Sequence, residues 1–433
     1  MLEIIDGREQ QTLVHIARPR AVSGRASAAA VEALVEDVRL RGDDALLEYT
    51  EKFDGIRLTP DRLRVEPDVL AKAPSLIPPP LVDAIAVMAE RLRRTCERQQ
   101  VAEWREEGAG EWVGEIVRPL RRVGIYAPGG RAAYPSSVVM AAVPATVAGV
   151  EQIAVCSPPG PDGEIPEPVL AACSLCGVDE VYRVGGAQAI AALAYGTRSV
   201  RPVEKIVGPG NIYVTLAKRA VSSWTGTDLH AGPSELAIVA DDTLDTSVLA
   251  ADLIAQAEHG PLGTHALITW LPEVAAGVAE ELEQQIAGHP RSGDLENVFI
   301  EGGRAVLVRD LEHAIDTVNA LAPEHLQLAF AGAEDALPQV RSAGSVFLGA
   351  YSAVPVGDYV GGTNHVLPTG GAARWSSGLG VPDFVKRIYV SSLDRASLER
   401  LGPHIEALAA AEGLPGHAEA IRRRLALDPD EGR

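Results

Sequence analysis

Five groups of residues have the types and spacing to do chemistry. The first lies in LIAQAEHGPLG, which holds Gln256 and His259. A spacing of three puts both on one face at the last turn of a helix. That helix is predicted to begin near Asp245 or Thr246, both good N-caps, and to end at Gly260 with Pro261 beyond. An amide oxygen and an imidazole can both ligate a metal, and imidazole suits zinc. The plainer reading is a helix-end histidine bonding the last carbonyls beside an exposed glutamine, and on this segment alone it is the better one. The second group is Glu324-His325 in LAPEHLQLAF. Pro323 stops the preceding helix, so the pair begins a new element, expected at an edge. A carboxylate beside an imidazole can serve as two proton-transfer groups in a multi-step reaction. In isolation a solvent-exposed polar turn is the better reading.

The third group is VPVGDYVGGTNHVLPTGGAARWSSGLG, residues 354–380, which holds Asp358 and His365. Glycines at this density let backbone approach a ligand. A glycine loop of this length is more often functional than a connector. Asp358 offers a hard anionic ligand or a charge partner, and the interspersed Tyr359, Val366, Leu367, Trp375 and Leu379 are too apolar for a flexible linker. The fourth is AAAEGLPGHAEAIRRR, where Glu412 and His417 bracket a turn; alone it reads as one helix end and the next helix start. The fifth is a set of glycine turns carrying Tyr126 (GIYAPGG), Gln188 (GGAQAI) and Asn211 (GPGN). Each follows an apolar strand, and the last two open a helix. In that context backbone N–H groups can bind phosphates or a dinucleotide. None is G-x-G-x-x-G, so the pattern alone leaves ordinary strand-to-helix turns as the simpler reading.

These segments sit on a recognisable plan. RRVGIYAPGG, EQIAVCSPPG, DEVYRVGG and EKIVGPG read as strands followed by turns, with helices between them. Strands alternating with helices predict a parallel α/β domain over about 117–234. SELAIVAD, HALITW, AVLVRD, HLQLAF and SVFLGA predict a second α/β region, with helices at 246–259 and 311–321. The first hundred or so residues read as helical: one stretch covers 28–49 with a break at Gly42, and another covers about 81–100 behind Pro78, Pro79 and Pro80. The tail predicts two helices, at about 402–411 and 417–427, too short for a core of their own.

Composition bounds the function. The chain has 433 residues, 59 acidic against 39 basic side chains, and a net charge of −20. That sign argues against broad nucleic-acid or anionic-membrane binding. No apolar run is long enough to span a bilayer, and the acidic start of the chain does not fit a signal peptide, so a cytoplasmic location is expected. Four cysteines in a chain this long do not make a disulfide framework. The pair Cys173 and Cys176 reads as small buried helix residues rather than redox chemistry.

Taken in order, RRVGIYAPGG, VGGAQAIAALAYGT, IVGPGN, AGPSE, AQAEHGP, APEHLQL, GDYVGGTNHVLPT and RWSSGLGVPDFVKR closely resemble the histidinol dehydrogenase family across nearly the whole chain. The resemblance implies oxidation of L-histidinol to L-histidine through L-histidinal, with two NAD molecules used in turn. It implies zinc held by Gln256, His259, Asp358 and His417. It implies Glu324 activating water and His325 passing protons. It implies substrate contacts from Ser234, Gln256, His259, His325, Asp358, Glu412 and His417, and NAD contacts from Tyr126, Gln188 and Asn211. His417 would come from the partner chain of a homodimer. The architecture implied is two Rossmann-like doubly wound domains with an N-terminal helical segment and a swapped C-terminal helical tail. Its expected division is an arm over 1–23, a discontinuous metal and catalytic domain over 24–116 and 235–379, an NAD domain over 117–234, and a tail over 380–433. Some relatives carry a carboxylate just before the Gly-Asp pair, where this chain reads Ala353-Val354-Pro355-Val356. Other readings are a paralogue oxidising a sulfonated alcohol, a zinc hydrolase, and a binding protein that kept the fold. Glu412 suits a cationic substrate and repels a sulfonate.

Overall fold

The computed structural model describes residues 2–9, 25–129, 133–228, 232–260 and 262–427. Most of the expected arm over 1–23 lies outside the described residues, as do Gly130 and Pro261. In chain order the strands are β1 (Glu3–Asp6), β2 (Trp104–Gly108), β3 (Glu111–Pro119), β4 (Arg122–Tyr126), β5 (Gln152–Ser157), β6 (Glu180–Arg183) and β7 (Lys205–Val207). They continue with β8 (Gly226–Thr227), β9 (Glu235–Ala240), β10 (Thr264–Thr269), β11 (Gly303–Leu307), β12 (His325–Ala329), β13 (Ser345–Leu348) and β14 (Val385–Leu393).

Two sheets are wholly parallel. One has the order β6-β5-β4-β7-β8, the other β1-β11-β10-β9-β12-β13. A parallel sheet needs crossover helices, which cover its faces, so its strands are apolar on both sides. In β9, Leu236, Ile238 and Ala240 enter one core cluster, while Ala237 and Val239 enter another on the opposite face. The chain is thus mixed α/β, with parallel sheets and helices. All nine strands read from the sequence form.

The helices differ from expectation in where they pack. The run 28–49 becomes two helices, Arg25–Arg41 and Asp43–Asp54, broken at Gly42. Val31, Leu34, Val35 and Val38 recur at helical spacing and bury against Ile190, Leu193, Val214 and Ala217. Helix Pro79–Arg98 buries Ile85, Met88, Leu92 and Cys96 beside Val138 and Met140. Both therefore pack with the five-stranded layer of 117–234, and the second also shares its cluster with Val366 and Leu379. An apolar face fixes that a helix packs; which sheet receives it depends on chain paths the pattern does not encode. β1 was also missed: four residues inside the expected arm pair in parallel with β11.

The chain divides into two compact units: residues 1–99 with 120–384, and residues 100–119 with 385–433. Both parallel sheets belong to the larger one. The smaller is more than a helical tail. β14 pairs antiparallel with β3, which pairs with β2 in a hairpin. Helices Arg395–Ala411 and Pro415–Leu425 complete it. Asp394 caps the first of these, accepting from the Ser397 N–H at 2.8 Å, and the Ser397 hydroxyl reaches the Ala109 carbonyl at 3.0 Å. No helix among the described residues is long and apolar enough to cross a membrane.

One buried ion pair locks the five-stranded sheet. Arg122, at the head of β4, spans β5 to donate to Glu180 on β6 at 2.8 and 2.5 Å. Arg201 adds a bond at 2.9 Å, and the Tyr182 hydroxyl donates to the same carboxylate. Burial by itself raises the Glu180 pKa. The Arg122 and Tyr182 bonds outweigh it and hold the group at about 2, below its ordinary 4.5. The stability contributed is fully present above 4.5 and lost as pH falls toward 2. Arg122→Met should cost about 3–5 kcal/mol at neutral pH, because it strands a buried carboxylate. Urea unfolding should show that deficit narrowing as the buffer is acidified.

Candidate active site

The site begins with a helix whose inner face is polar at two positions. Helix Thr246–Ala257 is capped by Asp245, which accepts from the Ser247 N–H at 2.9 Å. Asp252 and Gln256 are four residues apart, so they share a face. Both are buried. On β12, His325 and Gln327 are two apart and therefore share a face of the strand. The two faces meet in two rungs. Gln327 Nε2 donates to Asp252 Oδ2 at 2.7 Å, and Gln256 Nε2 lies 3.2 Å from His325 Nδ1. The first rung sets the register that makes the second possible.

His259 joins from a turn and Asp358 from a short helix. The helix ends at Ala257, two residues before His259, which sits in the following turn and not in the helix's last turn. Its backbone N–H still bonds the Gln256 carbonyl at 3.3 Å. Asp358 comes from the short helix Val354–Tyr359, so the glycine-rich stretch is ordered there. His259 Nε2 is 3.7 Å from Asp358 Oδ2, and His325 Nε2 is 4.0 Å from Asp358 Oδ1. His365 Nδ1 meets the Asp358 carbonyl at 3.0 Å, which orients the Asp358 backbone. Hydrogen bonding to Asp358 raises the His259 pKa. Burial alone would lower that of His325, but Glu324, Asp358 and the Glu235 carbonyl outweigh it and leave it above the ordinary value.

Glu324 and His325 are not an exposed turn at an edge. Both are buried, and β12 lies inside its sheet between β9 and β13. Their surroundings add a residue the sequence reading passed over. Glu324 Oε2 accepts the Glu235 N–H at 2.8 Å, while Glu235 Oε2 accepts the Glu324 N–H at 3.3 Å. The other Glu235 oxygen accepts the Gly370 N–H at 3.1 Å. Gly232 N–H also donates to the Thr369 hydroxyl. Burial first, then the Glu324 charge, pushes Glu235 up to about 7. An acidic residue directly before a wholly apolar run, beside Ser234, was the available signal.

The donor set fits a metal in one respect that can be checked. Gln256 Oε1 is buried without a hydrogen-bond partner, and its amide nitrogen lies 3.2 Å from His325 Nδ1. An orphaned buried carbonyl oxygen is costly unless something else satisfies it. Gln256, His259 and Asp358 are brought together. His417 and Glu412 belong to the smaller unit, exposed at the turn between its two helices. Among the described residues, no group of three or more His, Cys, Asp or Glu side chains could hold a metal. The larger unit offers only two such side chains of the expected set, plus an amide. Ser234 stands at the head of β9, its carbonyl accepting from the Thr264 N–H at 3.2 Å.

The three turn residues lie at the C-terminal ends of strands in the five-stranded sheet. Tyr126 ends β4, is buried, and its hydroxyl accepts the Gly186 N–H at 3.1 Å. Gln188 lies in the first turn of helix Gly186–Tyr195, buried with neither amide atom hydrogen-bonded. Asn211 caps helix Ile212–Val221, accepting from the N–H groups of Tyr213 and Val214 at 3.0 and 3.2 Å. Strand order reverses between β4 and β7, because β5 and β6 lie on one side of β4 while β7 and β8 lie on the other.

Known proteins resemble the chain closely. The family profile described as histidinol dehydrogenase matches residues 18–425. A histidinol dehydrogenase from a Synechococcus species is 47% identical over 397 residues, covering 92% of each chain. One from Moorella thermoacetica is 44% identical over 430 residues, covering 98% of this chain and all of the relative. The crystal structure of histidinol dehydrogenase from Elizabethkingia anophelis superposes with a TM-score of 0.93 at 34% identity, covering 98% of each chain.

Gln327→Leu should leave the Asp252 carboxyl buried without its amide and cost about 2 kcal/mol. Urea unfolding of the variant checks the value; a change within a few tenths would remove this rung from the account.

Proposed function

The chain belongs to the histidinol dehydrogenase family of oxidoreductases, and on that premise we propose that it oxidises L-histidinol through L-histidinal to L-histidine with NAD and zinc. The carrying observation is the buried Glu324–His325 pair facing Gln256, His259 and Asp358. Two proton-transfer groups 3.4 Å apart, with His325 4.0 Å from the candidate metal donor Asp358, suit a reaction with two oxidation steps. NAD, when bound, accepts the hydride at each step.

The proton work falls to this chain's side chains. His325 Nδ1 lies 3.1 Å from the Glu235 carbonyl; in the tautomer with a proton there it donates to that oxygen, does not accept from Gln256, and leaves Nε2 bare. A bare Nε2 is the base that removes the alcohol's proton during the first step. Glu324 removes a proton from water as it adds to the aldehyde, giving the hydrate that the second step oxidises. Its pinning by the Glu235 N–H orients the carboxylate before substrate arrives. Gln256, His259, Asp358 and His417 would hold zinc, which supplies a Lewis-acidic grip on the substrate's imidazole and amine. Gln256 Oε1 supports this, because a cation satisfies an otherwise unpaired oxygen. Ser234 and Glu412 would bind the substrate alongside these ligands and His325.

Tyr126, Gln188 and Asn211 would contact NAD. The reversal of strand order between β4 and β7 is where open α/β sheets bind nucleotides. The two unpaired amide atoms of Gln188 add polar groups without a partner of their own. Glu412 and His417 would be supplied by a second copy of the chain, making each site shared within a homodimer. The acid excess and the absence of a spanning helix among the described residues fit a small cationic substrate met in the cytoplasm.

Adding L-histidinol and NAD to the zinc-loaded protein should produce NADH absorbance; none from metal-loaded protein would sink the assignment. Glu324→Gln should stall the aldehyde step by about a hundredfold or more while alcohol oxidation persists. If alcohol oxidation is lost and the aldehyde step survives, Glu324 has another role. Inactive His259→Ala and His417→Ala chains should regain activity when mixed. Verified heterodimers with no recovery would mean the site lies within one chain.

A further inference from the structure

The turn that carries Asn211 is held by a buried ion pair that none of the chemistry above uses. Gly208 opens the turn after β7 with φ at +111°. A Cβ there would lie 2.2 Å from the Tyr126 carbonyl oxygen, so backbone meets backbone and only glycine fits. The Gly208 residue is then gripped at both of its polar backbone groups. Its N–H donates to Asp228 Oδ2 at 2.6 Å, and its carbonyl accepts from Lys218 Nζ at 2.5 Å. Lys218 Nζ also donates to Asp228 Oδ1 at 2.5 Å, closing a ring of three bonds. The two side chains are only 4% and 3% exposed.

Burying a lysine and an aspartate is expensive, and apolar residues of similar volume would pack as well or better. The pair therefore does something packing would not. Gly208 has the widest backbone freedom of any residue type, and it is the joint between Tyr126 at the end of β4 and Asn211 at the head of helix Ile212–Val221. Lys218 reaches this joint from within that helix, while Asp228 follows β8 and donates its own N–H to Ile206 at 3.1 Å. The ring ties β7, β8 and the helix to one glycine.

We propose that Lys218 and Asp228 are positioning residues for NAD: they fix the Gly208 peptide so that Tyr126 and Asn211 meet the dinucleotide in one geometry. This rests on the NAD reading above. Neither side chain is at the histidinol end of the proposed site, so the pair should govern dinucleotide affinity and leave histidinol affinity alone.

The test measures NADH and histidinol binding separately, by fluorescence and calorimetry on the zinc-loaded protein, with thermal melting alongside. Lys218→Met combined with Asp228→Leu removes the ring without stranding a charge. Its dissociation constant for NADH should rise about tenfold or more, while that for histidinol stays within about twofold. Lys218→Gln with Asp228→Asn keeps a donor for the Gly208 carbonyl and an acceptor for its N–H, and should recover most of the affinity. Should the first double variant not fold, Lys218→Arg keeps the charge but changes the reach, and should weaken NADH several-fold. Unchanged NADH affinity in the folded Lys218→Met, Asp228→Leu variant or in Lys218→Arg, or equal losses for both ligands, would overturn the proposal. A parent protein that binds histidinol but no NADH would instead overturn the NAD reading.

Discussion

Everything at the candidate site depends on the pairing of β9 with β12. That pairing sets His325 opposite Leu236. It brings the first residue of β9 and the residue before β12 close enough for Glu235 and Glu324 to exchange bonds, each carboxylate accepting the other's backbone N–H. A one-residue slip would turn His325 and Gln327 to the opposite face, away from Gln256 and Asp252. Parallel pairing is what permits this: both strands start at the same end of the sheet, so both leading carboxylates lie together. The cost is two negative groups sharing a buried place. Burial first, and the neighbouring Glu324 second, account for the rise of Glu235 to about 7.

The strand plan was legible because parallel strands are apolar on both faces and are punctuated by glycine or proline. SELAIVAD and HLQLAF needed nothing else. What stayed illegible was anything decided by a partner distant in sequence. The exposed-turn reading of Glu324-His325 rested on two polar letters after a proline, which carry no record of β9. The sequence reading placed no element between about 100 and 117 and so overlooked β2 and most of β3, whose sequences WREEG and EWVGEIVRP are polar or mixed. They form strands because β14 completes the sheet nearly three hundred residues later. Asp252 was hidden in the same way. A lone acid in an apolar helix reads as an exception until Gln327 appears opposite it.

The site residues were legible by two routes of unequal reach. Local chemistry could nominate Gln256, His259 and Asp358 as donors, but in each segment a plainer reading was available, and only the ordered resemblance united them. The structure supplies an independent reason: Gln256 is buried with its amide nitrogen 3.2 Å from His325 Nδ1 and its oxygen without a protein partner. A side chain needed only for packing would not be placed so. Lys218 and Asp228 were reachable by neither route, since a lysine in a helix and an aspartate ten residues later look like surface charges. Their burial is visible only once Gly208 is seen pressed against Tyr126.

The net charge of −20 poses a last problem. A dinucleotide is anionic, and the chain as a whole repels it. Among the described residues near the β4–β7 turns, Lys218 is closed on Asp228, and Lys205 is bonded to Asp383 at 3.0 Å. Recognition in the proposed reading draws on neutral dipoles, namely backbone N–H groups and the amides of Gln188 and Asn211. Dipoles are short-ranged and directional, so they work only if their orientation is fixed in advance. A flexible glycine at that place would dissipate the benefit. A buried ion pair, with its charge cancelled, can hold the glycine rigidly without placing a net charge beside the ligand.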